Sequence, residues 1–276
     1  MAFVAPTVRR RVLITGETGS GKSASLRTVP GPKIILSYPG EHGHDSLVHP
    51  DGTPLDPDTQ VLVWQHDEKV TSSQVIETVR KETIKALATP GLVSFCGDGF
   101  HKLYEYVMDA LSGGNFFEGA PIKTESQADS FVVDPRVASQ AEHWMSDYLT
   151  MVCQSKVPYV FMTVWDKDTG VRKANKELKE KWTDIPQHKM PALYSAASRR
   201  ILGQFGICVH ASARRVKGKP IPDKPGKFEV VREFRWQTQP DNEVGACAVK
   251  GDAKVTALIP KYVPADWREL AKYLGA

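Results

Sequence analysis

The sequence has 276 residues, of which 41% are hydrophobic and 25% charged, so it is long enough to form one large globular core. Its formal net charge of +4 is mildly basic, which permits a nucleic-acid partner without requiring one. No apolar stretch approaches the length of a membrane span, which excludes the common classes of membrane protein.

The cysteines and the N-terminus indicate a cytoplasmic protein. Cys96, Cys153, Cys208 and Cys247 are widely separated and contain no C-x-x-C pair, so they are predicted to be reduced core residues. The chain also lacks the long apolar core of a cleavable signal before residue 20. We therefore expect a soluble protein with no membrane partner.

The first predicted element is a buried strand, Val12 to Thr15, and it leads directly into a glycine-rich turn. That turn reads Gly16-Glu17-Thr18-Gly19-Ser20-Gly21-Lys22-Ser23 and fits the phosphate-loop pattern G-x-x-x-x-G-K-[ST] at every fixed position. In this pattern the backbone N–H groups surround the phosphates, the lysine reaches the β- and γ-oxygens, and the serine hydroxyl ligates Mg²⁺. Ala24 to Thr28 are predicted to open a helix whose N-terminus faces the phosphates. The sequence therefore predicts that residues 16–24 bind ATP with Mg²⁺.

The next elements alternate between strands and helices. The predicted strands are Lys33 to Tyr38, Val61 to Trp64 and Leu92 to Asp98, and the predicted helices are Ser73 to Ala88 and Phe100 to Leu111. This alternation predicts an α/β fold with a mostly parallel sheet that is covered by helices on both faces.

The second half of the chain changes character. Residues 115–133 and 166–190 are predicted to be excursions from the core, separated by a long helix from Pro135 to about Ser155 and a strand from Tyr159 to Val164. The chain then becomes β-rich, with an antiparallel hairpin formed by Ile207 to Val216 and Phe228 to Gln237. In the second run Phe228, Val230, Phe234 and Trp236 share parity, with Arg232 interrupting, as expected for a half-buried strand. A helix capped at Asp266 completes one domain that spans residues 1–276.

A carboxylate at the end of a strand beside the phosphate loop is expected to support the metal ion. Asp98, which closes the strand from Leu92, is the preferred residue for this role, although Ser94 and Gly97 interrupt the apolar run. Asp67 is the competing residue, and Asp98 could instead be only the N-cap of the following helix.

Hydrolysis also needs a group that polarises the attacking water. Glu41 lies just beyond the strand Lys33 to Tyr38, so it is the predicted base, with an ordinary surface glutamate as the alternative. Thr163 and Asp166, at the end of a later strand, could sense the γ-phosphate.

Two basic clusters remain. The first contains Lys167, Arg172, Lys173, Lys176, Lys179, Lys181 and Lys189 with Trp182, and is diluted by acidic residues. The second contains Arg214, Arg215, Lys217, Lys219, Lys224 and Lys227, opposed only by Asp223. Because the second cluster has few counter-charges and is placed on a hairpin, it is the better candidate for contacts with single-stranded DNA, and Trp182 offers a stacking face.

Taken in order, these elements resemble the RecA-like core, and more narrowly the phage-encoded nucleotide-binding proteins related to single-strand annealing and recombination ATPases. The resemblance extends from Arg11 to Leu274 and is carried mainly by Gly16 to Ser23, with Glu41, Asp98 and the strand from Tyr159 to Asp166 in matching order. Trp165 departs from the pattern, because such proteins often carry a histidine there.

The resemblance implies a RecA-like ATPase that assembles as a ring or filament on single-stranded DNA. It also implies that a neighbouring subunit's Lys or Arg completes each site, and that the protein works in the cytoplasm of a phage-infected host. Two other functions stay open on the residues alone: a P-loop phosphotransferase that acts on a small acceptor, and a nucleotide-binding assembly factor without turnover.

Overall fold

The structure is a computed structural model, and it describes residues 9–64, 69–113, 135–168, 189–191, 202–220, 228–240, 244, 247–250 and 256–275. Its strands are β1 (Arg10–Gly16), β2 (Lys33–Ser37), β3 (Thr59–Val63), β4 (Ser94–Asp98), β5 (Tyr159–Asp168), β6 (Lys189–Pro191), β7 (Ile207–Pro220), β8 (Phe228–Gln237), β9 (Ala248–Val249) and β10 (Tyr262–Pro264). Its α-helices are α1 (Lys22–Ser25), α2 (Ser72–Leu87), α3 (Phe100–Leu111), α4 (Pro135–Gln154) and α5 (Trp267–Leu274).

Most strands form one mixed sheet in the order β10-β8-β7-β1-β5-β4-β2-β3. The six strands from β7 to β3 in this order run parallel, whereas β8 and β10 are antiparallel to their neighbours. The strand β5 lies between β1 and β4, so the strand that enters the phosphate loop and the strand that ends at Asp98 are not direct neighbours. The predicted fold class is therefore confirmed as an α/β core with a mostly parallel sheet, helices on both faces and a C-terminal antiparallel hairpin.

Helices cover both faces of the sheet because alternate strand residues point to opposite sides. Leu13, for example, joins the core under α2, α3 and α4, whereas its neighbours Val12 and Ile14 join the core under α5. Apolar residues buried on both faces explain why the central strands read as continuous hydrophobic runs. No helix in the described ranges is both long enough and apolar enough to cross a membrane.

Several elements differ in extent from the sequence-based predictions. The helix expected over Ala24 to Thr28 is a short α-helix, α1, followed by a 3₁₀ turn at Leu26–Thr28. Residues 115–133 lie outside the described part of the chain. Only the ends of the 166–190 excursion are described, and they pair with each other, because β6 runs antiparallel to the end of β5. The single-domain assignment stays a prediction.

The hairpin of β7 and β8 forms as predicted, but the apolar face of β8 is buried at one end only. Trp236 is fully buried, whereas Val230 is 71% exposed and Phe234 36% exposed. The reason is that only the end of β8 near Trp236 packs into the core, while the rest extends past the carboxyl end of β1. The prediction of a half-buried strand is correct only for that end.

Candidate nucleotide-binding site

The phosphate loop connects the end of β1 to the start of α1. Its lysine is drawn into the loop: Lys22 Nζ donates hydrogen bonds to the carbonyl oxygens of Gly16 and Glu17, both at 2.8 Å. The residue is only 6% exposed, and this burial lowers the pKa of Lys22, against the opposing attraction of Asp98 and Asp166. The ammonium therefore lies at the start of the loop, where phosphate oxygens would meet it.

Gly21 has a backbone that a residue with a side chain would adopt only with strain. Its φ is +87°, and a Cβ atom at this position would lie 2.6 Å from the ring of Phe234. The glycine at this position therefore allows β8 to pack directly on the phosphate loop.

Asp98 ends β4 in a buried position beside the loop. Its Oδ1 accepts a hydrogen bond from Thr163 Oγ1 at 2.5 Å, so Thr163, considered above as a phosphate sensor, orients Asp98. Its Oδ2 faces Ser23: a Cβ atom on Gly43 would overlap the Ser23 hydroxyl and lie 2.6 Å from that oxygen. Burial raises the pKa of Asp98, and the hydrogen bond from Thr163 and the charge of Lys22 act in the opposite direction. A serine hydroxyl and a carboxylate oxygen thus converge beside the loop.

The two interruptions in β4 have packing explanations. Ser94 Oγ donates a hydrogen bond to the carbonyl of Pro30 at 2.5 Å, which satisfies its hydroxyl inside the core. A Cβ atom on Gly97 would lie 2.6 Å from Tyr38 Oη and 2.7 Å from Met162 Sδ. These residues therefore belong to a fully buried strand, as the predicted position of Asp98 requires.

Glu41 follows β2 through a tight turn in which its N–H donates to the carbonyl of Tyr38 at 3.0 Å. Its Oε1 accepts a hydrogen bond from the N–H of Gly43 at 3.2 Å. Burial raises the pKa of Glu41, and the nearby charge of Asp98 raises it further. The side chain is 12% exposed, so a carboxylate with a raised pKa lies at the same edge of the sheet as Asp98.

His101 is part of this site, although sequence reasoning did not select it. Its Nε2 lies 3.8 Å from Glu41 Oε2, and its ring stacks on Trp165 with centroids 4.2 Å apart. Its Nδ1 accepts a hydrogen bond from the N–H of Trp165 at 3.4 Å. Burial lowers the pKa of His101 to about 3, so the ring is neutral. His101 lies on the first turn of α3, the helix that follows Asp98. This position in the sequence was the signal that could have identified it as a residue of the site.

A second missed histidine lies on the other side of β1. His210 Nε2 is 2.7 Å from Asp166 Oδ2, and both side chains are buried. Asp166, considered above as a phosphate sensor, therefore has a fixed partner on β7, and His210 borders the phosphate loop. The pair links the start of the 166–190 excursion to the loop.

The basic residues on the hairpin are exposed, but they differ in their surroundings. Arg214 forms a two-pronged ion pair with Glu233, at 3.0 and 3.1 Å, and Lys217 Nζ lies over the ring of Phe228 at 3.3 Å. Arg215 and Lys219 are exposed on β7. Trp182, Lys224, Lys227 and the first basic cluster between residues 169 and 188 lie outside the described residues, as does Asp67.

The structure thus brings residues 16–24, Asp98 and Glu41 together at the carboxyl ends of β1, β2 and β4, and it places the hairpin cations further along β7. Sequence comparison finds no match to any family model or curated protein. Among solved structures the chain is similar to the assembled ATPase EscN of the enteropathogenic E. coli type III secretion system, at 12% identity and a TM-score of 0.41.

That match covers 74% of this chain and 43% of the EscN chain, so this chain spans less than half of EscN. A likeness this distant shows nothing about the function of this chain. The function has to be inferred from the geometry of the site. A glycine-rich loop that joins a central parallel strand to a helix is the local structure of a phosphate loop, and it supports nucleotide binding.

Proposed function

We propose that this chain binds ATP with Mg²⁺ through residues 16–24 and hydrolyses it. The observation that carries the proposal is the convergence of Lys22, Ser23, Asp98 and Glu41 at one edge of the sheet. Ligands bind at this edge in open parallel sheets, outside the carboxyl ends of the strands.

Ser23 and Asp98 are the residues that would hold the magnesium ion. Asp98 Oδ2 is buried beside the Ser23 hydroxyl; burial raises the pKa of this carboxyl, and the hydrogen bond from Ser23 lowers it. Oxygen donors of this kind suit Mg²⁺, which is commonly bound through one or two protein oxygens together with phosphate oxygens and water. A magnesium ion held there would neutralise charge on the phosphates.

Glu41 is the proposed base for the attacking water. Its raised pKa makes the carboxylate a stronger proton acceptor than an exposed glutamate. Lys22 contributes a positive charge at the phosphates, and Thr163 fixes the orientation of Asp98. These roles cover the metal ion, the attacking water and the phosphate charge, which are the groups that ATP hydrolysis requires the protein to position.

We further propose that the chain acts on single-stranded DNA as a self-associating phage protein of recombination or annealing. The support is the exposed hairpin, on which Arg214, Arg215, Lys217 and Lys219 follow one another along β7 with one ion pair, that of Arg214 with Glu233, in the described range. Exposed cations on one hairpin, even where neighbours such as Arg214 and Arg215 point to opposite faces, can contact a phosphate backbone without reading its sequence.

The rate of ATP hydrolysis with and without single-stranded DNA tests the proposal. Stimulation by DNA is the expected result, with ADP and phosphate as the only products. Transfer of phosphate to a small acceptor would instead identify a phosphotransferase. Nucleotide binding without turnover under either condition would identify an assembly factor and contradict the proposed hydrolysis.

A further inference from the structure

One face of β8 runs from the core directly across the phosphate loop. Side chains at every second position of a strand share a face, so Trp236, Phe234 and Arg232 lie on the same side. Trp236 is buried in the core, and Phe234 packs against Gly21. Arg232 comes next, and its Nη1 lies 3.7 Å from the position of a Cβ atom on Gly19. The strand therefore holds a guanidinium group over the phosphate loop of the same chain.

Arg232 borders a small polar cavity at the loop. The cavity has a volume of about 160 Å³, and its lining includes Glu17, Thr18, Gly19, His210 and Arg232. Lys22 Nζ is bonded to the carbonyls of Gly16 and Glu17, so the cavity adjoins the end of the loop where the lysine ammonium lies. An anion bound to Lys22 would therefore lie near the Arg232 guanidinium.

The charge opposite Arg232 in the sheet is also positive, whereas Glu17 contributes a carboxylate to the lining of the cavity. Arg232 lies directly opposite Arg215 in the β7–β8 ladder, and like charges in such a pair repel each other. The Arg232 guanidinium has no hydrogen bond or ion pair within the described ranges, whereas Arg214, one residue along on the other face, is fully paired with Glu233. An unpaired arginine beside a second arginine is the arrangement that a polyphosphate would stabilise.

The geometry points to Arg232 as a phosphate-binding residue that acts in cis, on the nucleotide held by its own chain. This inference rests on the proposed nucleotide binding and adds one residue to it. It also differs from the expectation that a neighbouring subunit's Lys or Arg completes the site. An arginine is suited to this role because its planar fork can contact two phosphate oxygens at once.

Nucleotide affinity gives the first test. In Arg232→Ala, the affinity for a fluorescent, slowly hydrolysed ATP analogue should fall about tenfold, and Arg232→Lys should recover part of it. Arg80→Ala, which removes an exposed arginine on α2, is the matched control and should bind like the wild type. Unchanged affinity in Arg232→Ala would overturn the inference. If the wild type and Lys22→Ala bind the analogue equally, the proposed nucleotide site itself fails.

A mixing experiment distinguishes action in cis from action in trans. Lys22→Ala keeps Arg232 but has a defective loop, whereas Arg232→Ala keeps the loop. If Arg232 acts in cis, mixtures of the two variants should hydrolyse ATP at the average of their separate rates. A rate above that average would show that one subunit's arginine serves another subunit's loop, and it would overturn the cis assignment.

Discussion

Asp98, which is buried, and Glu41, which is partly exposed, are carboxylates at the same edge of the sheet, yet their contacts predict different losses on mutation. Asp98 Oδ2 faces Ser23, whereas Glu41 lies further out, between Gly43 and His101. Glu41→Gln should therefore keep nucleotide binding and lose turnover, by a factor of about 10² or more. Asp98→Asn should also raise the Mg²⁺ concentration needed for binding.

These outcomes are checked by measuring kcat and the dependence of nucleotide affinity on Mg²⁺ in both variants. Because the pKa of Glu41 is raised, wild-type kcat should fall on the acid side at a pH above the usual 4.5 of a glutamate. If Glu41→Gln hydrolyses ATP at the native rate, the base is another residue.

His101 gives a prediction about stability. Its pKa is about 3 in the folded chain and 6.5 when exposed, so between these values the unfolded chain binds a proton that the folded chain does not. The stabilising contribution of the neutral ring is complete above pH 6.5 and is lost as the pH falls towards 3. One such proton contributes a slope of up to about 1.4 kcal/mol per pH unit.

Chemical denaturation of the wild type and His101→Asn at a series of pH values measures this slope. The variant should lose less unfolding free energy than the wild type between pH 6.5 and 4. His143→Asn, an exposed position on α4, should follow the wild type. Parallel curves for the wild type and His101→Asn would contradict the buried, neutral state of this ring.

At the scale of elements, the β7–β8 hairpin carries the proposed DNA contacts. Replacing Arg214, Arg215, Lys217 and Lys219 together by Ala should flatten the dependence of log affinity on log salt by about 2 to 3 units, at ~0.7 per neutralised phosphate. The lower figure applies if Arg214 of the wild type stays paired with Glu233 when DNA binds, because it then neutralises no phosphate.

Binding of a fluorescent oligonucleotide across a salt series gives this slope. A variant that lacks Arg80, Lys81 and Lys85 on α2 loses comparable charge away from the hairpin, and its slope should match that of the wild type. Equal slopes for the hairpin variant and the wild type would place any DNA contact elsewhere. Nucleotide affinity should stay the same in the α2 variant.

The elements themselves were largely predictable from the sequence, because hydrophobic period and turn residues are local signals. The bounds of β8 and α3 match the predicted runs, and β1, β2 and α2 differ by only a few residues. The phosphate loop was equally clear, since its fixed residues are contiguous.

What the sequence did not reveal depends on contacts between distant segments. Arg232 appeared only as an interruption in an apolar face, because nothing local indicates that β8 crosses the phosphate loop, where Arg232 lies beside Gly19 and Phe234 beside Gly21. In the same way, Ser94 and Gly97 made the strand β4 harder to predict, because they interrupt its apolar run. In the fold, each of them contacts a specific neighbour. The contacts of His101 with Glu41 and of His210 with Asp166 likewise depend on the fold, which brings these distant residues together.

At the scale of the whole molecule, one sheet brings the loop after β1 and the carboxylates after β2 and β4 to the same edge, and it extends the hairpin beyond that edge. The proposed nucleotide and DNA sites lie on two parts of one sheet, and this gives a physical route by which one ligand could alter the affinity for the other. That coupling is the reason to expect DNA-stimulated turnover rather than two independent activities.

The central claim is that the loop at residues 16–24 holds ATP, and the affinity of Lys22→Ala for ATP tests it most directly. Lys22 contributes a charged contact of about 1.5 to 3 kcal/mol, so the variant should bind ATP at least tenfold more weakly than the wild type. Circular dichroism should show that both proteins are folded. Equal ATP affinity in a folded Lys22→Ala protein would contradict the account.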